Sequence, residues 1–167
     1  MRKVIYFAGG CFWGVQHFFD QFNGVHETTT GYANGTIENP TYEQVKSQKS
    51  GHSETVKVVY ECDQITLEQL LYYFYRIIDP TSLNKQGEDE GISYRTGIYY
   101  SDPEDQAIIE SVTKKVAQQY EQPIVVEILP IQHFYDAEEY HQKYLEKNPN
   151  GYCHIPLTLF HLQEDPS

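Results

Sequence analysis

The stretch FAGGCFWGV, residues 7–15, sets one of only three cysteines beside the chain's single tryptophan, between Gly9-Gly10 and Gly14. An apolar run precedes Cys11 and a helix-periodic run follows it, so the cysteine is expected at or just before a helix N-terminus. Unpaired N–H groups and the positive end of the helix dipole favour an anion there, and a thiolate of lowered pKa fits that position. The glycines permit a tight turn and close approach to the sulfur. The plain alternative is a structural cysteine buried under a glycine turn.

Spacing tests several cysteine and glycine chemistries. Gly14 stands where a Cys-x-x-Cys pair needs its second cysteine. His17 stands where a cysteine phosphatase loop wants arginine, and Gly14-Val15 lacks the Lys-Ser/Thr of a phosphate-binding loop. The cysteines at 11, 62 and 153 are too dispersed for a zinc site. A cysteine hydrolase with His52 as base stays open, because sequence distance does not forbid spatial proximity.

Elements must position these residues. Lys3–Ala8 reads as a strand, and Phe12, Val15, Phe18, Phe19 and Phe22 fall on one helical face that ends at Asn23-Gly24. Val25–Tyr32 is the next strand, followed by a long polar loop from Ala33 to Ser53 and a strand over Glu54–Tyr60. Thr66 with Gln69 forms a capping box for a helix that buries Leu67, Leu70, Leu71, Phe74 and Ile78 and stops at Asp79-Pro80. A second polar loop leads to a strand near Arg95–Tyr100. Asp102-Pro103 is expected to start a helix running to about Tyr120. Ile124–Leu129 reads as a strand, and Asp136 with Glu139 as the cap of a last helix ending near Lys147.

The order through Tyr100 is βαββαβ, which predicts an α+β, ferredoxin-like two-layer sandwich. A C-terminal α-β-α extension and an irregular tail complete a single catalytic domain over residues 1–167. The net charge of −12, from 24 acidic and 12 basic residues, argues against nucleic acid as partner. No apolar run approaches the roughly 18 residues of a membrane span. Val4–Ala8 falls short of the roughly 7–15 apolar residues of a signal peptide. Three widely spaced cysteines suit a reducing compartment, so the expected location is the cytoplasm.

The blocks GGCFWG, GYANG, NPTYEQV, GHSETVKVVY, DPTS, QGEDEGISYR and NPNGYCHI, in that order from Phe7 to about Ile155, resemble the A-type peptide methionine sulfoxide reductases. The resemblance implies reduction of methionine S-sulfoxide, free or in oxidised proteins, with one enzyme type per sulfoxide epimer. It makes Cys11 the nucleophile and Cys153 the resolving cysteine that forms a disulfide with it. Phe12 and Trp13 become the pocket for the substrate methyl group. Glu54 becomes the acid for the sulfoxide oxygen, Tyr42 and Tyr94 the hydroxyls that help hold that oxygen, and Asp89 a neighbour of the site. Thioredoxin is the implied reductant, and no metal, flavin or nicotinamide is needed.

Physical chemistry agrees with these roles. A sulfoxide has a polar S–O bond and a methyl group, so its site needs donors and an aromatic wall. Glu54 shares its side of the strand alternation with Val56, Val58 and Tyr60. An acid on the buried side would keep its proton at neutral pH. Two departures stand out: Glu88 and Glu90 flank Asp89 with extra negative charge, and no further cysteine follows Cys153. The competing readings are the Cys11/His52 hydrolase and a non-catalytic redox-sensing module.

Overall fold

The computed structural model describes residues 1–164. Its elements in chain order are β1 (Arg2–Gly9), α1 (Phe12–Asp20), β2 (Val25–Ala33), α2 (Tyr42–Lys46), β3 (Ser53–Glu61), α3 (Leu67–Arg76), β4 (Lys85–Gln86), β5 (Asp89–Glu90), β6 (Thr96–Tyr100), α4 (Asp105–Ala117), β7 (Glu127–Pro130), β8 (Phe134–Asp136) and α5 (Tyr144–Lys147). Six strands form one mixed sheet in the order β7-β6-β1-β3-β2-β8, while β4 and β5 pair separately. Within the large sheet β6 and β7 run parallel and the remaining pairs antiparallel.

Period-2 alternation explains which face is dry. Ile5 and Phe7 of β1 and Val56 and Val58 of β3 are fully buried under α1 and α3. Phe7 stacks between Phe19 of α1, at 4.8 Å, and Phe74 of α3, at 4.6 Å. Ala8, Ala33 and Tyr99 face the other side, where Tyr6, Ile131 and Phe134 cover them. Because Phe7 pairs with Val56, the end of β1 and the start of β3 lie side by side at the centre of the sheet. Cys11 lies just beyond the one and Glu54 is the second residue of the other.

The strands and helices expected through Tyr100 are present within a few residues of their expected ends. Three expectations need correction. The Ala33–Ser53 segment is interrupted by α2, where Thr41 and Gln44 form the same reciprocal capping box as Thr66 and Gln69 on α3. Asp102 does not cap α4; it closes a preceding turn, its carboxylate accepting from the Glu104 N–H at 3.0 Å, and the helix begins at Asp105.

The last helix is the largest departure. Asp136 instead ends strand β8, paired with Gly31, and the segment turns through a 3-10 helix at Glu139–His141 before the four-residue α5. Gln142 holds this path by accepting from the Thr30 N–H at 2.9 Å and donating to the carbonyls of Thr30 and Ala137. Lys143 then adopts a left-handed φ of 56°, which breaks any continuous helix. The strand expected over Ile124–Leu129 is β7, shifted to Glu127–Pro130.

Candidate active site

Gly10, at φ +86°, turns the chain out of β1 so that Cys11 becomes the N-cap of α1. The cysteine is reduced and buried. The first turn of α1 offers N–H donors to the site rather than to a cap side chain. Phe12 N–H donates to Glu54 Oε1 at 3.2 Å, and the Trp13 N–H favours charge on the Cys11 sulfur.

Glu54 is 1% exposed, and its second oxygen, Oε2, is buried with no hydrogen-bond partner among the described residues. Burial pushes its pKa up to about 8. The Phe12 N–H opposes that rise, the negative charge of Asp89 adds to it, and the Tyr94 hydroxyl and Lys46 pull it back. At pH 7 the carboxyl therefore holds its proton by roughly ten to one. A protonated acid lies buried beside the cysteine.

The thiol itself contradicts the lowered pKa expected from its helix position. Burial lifts Cys11 well above an ordinary cysteine, with further contributions from Glu54, Asp89 and Cys153, while the Trp13 N–H opposes them. Desolvation outweighs a helix end whose donors are shared between two acids. The resting pair is thus neutral, thiol beside carboxylic acid.

Tyr42 opens α2 and Tyr94 closes a 3-10 turn at Ile92–Tyr94; both are half-buried. Burial and then Glu54 raise both phenols, so each hydroxyl remains a donor. The interactions that shift them involve Glu54, Cys11 and Asp89 in each case, which gathers the five residues into one site. Asp89 sits on the β4–β5 hairpin with Oδ2 buried and without a partner among the described residues, and its pKa is raised by burial. Tyr152 opposes that rise, and its hydroxyl also accepts from the Glu88 N–H at 3.3 Å.

Phe12 is fully buried among Tyr32, Tyr42 and His141 and forms the floor of the aromatic cluster. Trp13 is half-buried, stacked on Tyr144 with ring centroids 3.8 Å apart, and its indole N–H donates to His141 Nδ1 at 3.0 Å. Cys153 lies against α1 one turn beyond Cys11. A Cβ added at Gly14 would meet its sulfur at 2.6 Å, so glycine there makes room for it. The Ile155 N–H donates to that sulfur at 3.3 Å. A cavity of about 320 Å³ opens beside Cys153, between His17, Leu145, Pro149 and Phe160.

One candidate falls away. His52 is buried with both ring nitrogens committed, Nδ1 accepting from the Gly35 N–H at 3.0 Å and Nε2 bonded to the Ile37 carbonyl at 2.7 Å. It clamps the loop after β2 and is no base for Cys11. Cys62 follows the far end of β3, its N–H bonded to the Met1 carbonyl. Eight strand residues at about 3.3 Å each put it roughly 26 Å from Glu54. Sequence reading missed His141 and Glu138, whose partners here are more than ninety residues away.

The protein family described as peptide methionine sulfoxide reductase matches residues 3–165. The peptide methionine sulfoxide reductase MsrA of Lachnoclostridium phytofermentans is 56% identical over 160 residues, 96% of each chain. That of Clostridium acetobutylicum is 54% identical, covering 95% of this chain and 98% of its own. Mxr1 from Saccharomyces cerevisiae in reduced form superposes with a TM-score of 0.89 at 36% identity, over 93% of this chain and 92% of that one. Mxr1 in complex with Trx2 superposes with a TM-score of 0.63 at 28% identity, over 86% and 84%. On the family match and these identities, the chain belongs to the peptide methionine sulfoxide reductases.

Proposed function

We propose that this chain reduces methionine S-sulfoxide, free or in proteins, to methionine, with Cys11 as the atom that receives the oxygen. The observation that carries the reading is the buried Glu54, its pKa raised to about 8 and one oxygen without a partner among the described residues, beside the buried thiol of Cys11. In the first step the Cys11 sulfur attacks the sulfoxide sulfur while Glu54 gives its proton to the sulfoxide oxygen. The thiol proton passes back to the Glu54 carboxylate. The hydroxyl then moves from the substrate sulfur to the Cys11 sulfur: the substrate S–O bond and the new S–S bond break, an S–O bond forms on Cys11, methionine leaves reduced by two electrons, and Cys11 is left oxidised by two as a sulfenic acid.

Tyr42 and Tyr94 donate to the same oxygen as it gains negative charge. Trp13 over Phe12 receives the methyl group, and Asp89 shapes the polar rim. Cys153 then attacks the sulfenic sulfur, forming the Cys11–Cys153 disulfide and releasing water. A thioredoxin-type dithiol reduces that bond by exchange and is itself oxidised. The crystallised complex of the relative Mxr1 with Trx2 supports this choice of reductant.

The antiparallel β6-β1-β3-β2 order, with α1 and α3 on one face, supports a ferredoxin-like core extended by β7 and β8. A family match spanning residues 3–165 supports one catalytic domain. An odd number of cysteines, widely spaced at 11, 62 and 153, supports a reducing, cytoplasmic location; no helix among the described residues is long and apolar enough to cross a membrane.

The test is a racemic methyl sulfoxide with excess dithiothreitol, followed by chiral analysis. Once the methyl group occupies the Trp13 pocket, one epimer alone aims its oxygen at Glu54. Conversion is expected to stop near half, with the R form left over. Complete conversion, or none, would refute the reading.

A further inference from the structure

Oxygen transfer is half of the cycle. To close it, the Cys153 thiol must give up a proton, because the thiolate is the form that attacks. Burial raises the pKa of that thiol; the Ile155 N–H opposes the rise and the charge of Asp89 adds to it. A resolving step near neutral pH therefore calls for a base at the sulfur.

The cavity of about 320 Å³ beside Cys153 presents one imidazole among its described residues, that of His17. His17 lies on α1 three residues after Gly14, and residues so spaced share a helix face with Cβ atoms about 5–6 Å apart. A Cβ at Gly14 would stand 2.6 Å from the Cys153 sulfur. The sulfur thus rests on the bare face of α1 one turn short of His17, and an imidazole spans the remaining gap directly or through one water. The ring is half-buried against Phe160, with centroids 4.6 Å apart. That packing places it without using a nitrogen, and neither nitrogen has a hydrogen-bond partner among the described residues. Glu146 of α5, on the cavity rim, is exposed, and Asp20, the charged residue one turn on along α1, is paired with Lys143 at 2.7 Å.

We propose that His17 is the general base of the resolving step, taking the proton of Cys153 as its sulfur departs for Cys11. The proposal rests on the reading of Cys153 as the resolving cysteine. The thiolate attacks the sulfenic sulfur of Cys11, and the S–S bond forms as the S–O bond of Cys11 breaks. Cys153 is oxidised by one electron and the sulfenic sulfur reduced by one, so no outside reductant enters this step. The departing hydroxide recovers the proton from the imidazolium, directly or through solvent, and leaves as water.

The test is one turnover of wild type and variants with methionine sulfoxide and no added thiol, stopped by acid at intervals. Free methionine reports oxygen transfer to Cys11, and the Cys11–Cys153 disulfide, mapped by mass spectrometry, reports resolution. His17→Ala is expected to release methionine within about twofold of wild type and to form the disulfide about 10²-fold more slowly. Free imidazole, admitted to the enlarged cavity, should restore disulfide formation in proportion to its concentration and leave the wild-type rate unchanged. His17→Phe keeps an aromatic ring against Phe160 but carries no base, so it should be as slow as the alanine variant. Disulfide formation at the wild-type rate in His17→Phe, or a slow alanine variant that imidazole does not rescue, overturns the proposal. A wild type that releases no methionine, or releases it without joining Cys11 to Cys153, would sink the proposed reaction itself.

Discussion

The two cysteines assigned to chemistry touch the same helix from opposite kinds of structure. Cys11 stands between a central strand and α1, with Gly10 turning the chain, Phe12 N–H on Glu54 and a fully buried aromatic floor beneath. Cys153 lies in a stretch without strand pairing, half-buried, beside an open cavity and, among the described residues, bonded through its sulfur only to Ile155. Oxygen transfer needs donors fixed before the substrate arrives, because preorganised groups stabilise developing charge without rearranging. Disulfide formation needs the second sulfur to travel to the first. On the proposed roles, the first site must hold still and the second sulfur must move.

The sharpest way to break that contrast is Glu54→Gln. Glutamine keeps an oxygen for the Phe12 N–H but has no acidic proton, and a positioned acid contributes about 10²–10⁴-fold. Single-turnover methionine release should fall by that factor while Cys11 remains alkylatable. In the wild type the rate should decline as pH rises through about 8, where Glu54 loses its proton. Stability carries the same sign. Since the folded pKa lies above the unfolded one, the folded state binds the extra proton between them, so stability falls as pH rises through that window. Glu54→Gln should therefore melt no lower than wild type at pH 8, measured by calorimetry.

A smaller effect is expected on the mobile side. Gly14→Ala sets a methyl group 2.6 Å from the Cys153 sulfur and must displace it. Misplacement on that scale can slow a step by up to about 10²-fold. Turnover with thioredoxin should fall about tenfold or more, with single-turnover release unchanged. Loss of both rates together would mean that the two regions are not separable.

How much of this was legible in the sequence follows the same division. Glu54 was readable through the family resemblance of GHSE, and strand alternation with Val56, Val58 and Tyr60 added only that its side chain lies on their side of the strand. The junction around Cys11 was readable from its glycines and the helix-periodic phenylalanines. The thiol's raised pKa was not, since a helix end is visible in sequence and the burial that outweighs it is not. Helix α2 was missed although Thr41 and Gln44 carry the same box that revealed α3; five residues give too little periodicity to notice. The segment after Asp136 reads as a helix until its side chains find distant partners. Gln142 reaches Thr30, Glu138 reaches Tyr42 and His141 reaches Trp13, and no local pattern encodes such long-range pairs.

The central claim is that Cys11 takes the oxygen and Cys153 removes it. The most direct measurement is rapid-quench of Cys153→Ser with excess methionine sulfoxide and no reductant, counting methionine per chain and mapping the product by mass spectrometry. The account predicts one methionine per chain and a single added oxygen on Cys11, with no disulfide to Cys62. Absence of methionine release, or oxygen carried on any residue other than Cys11, would contradict it.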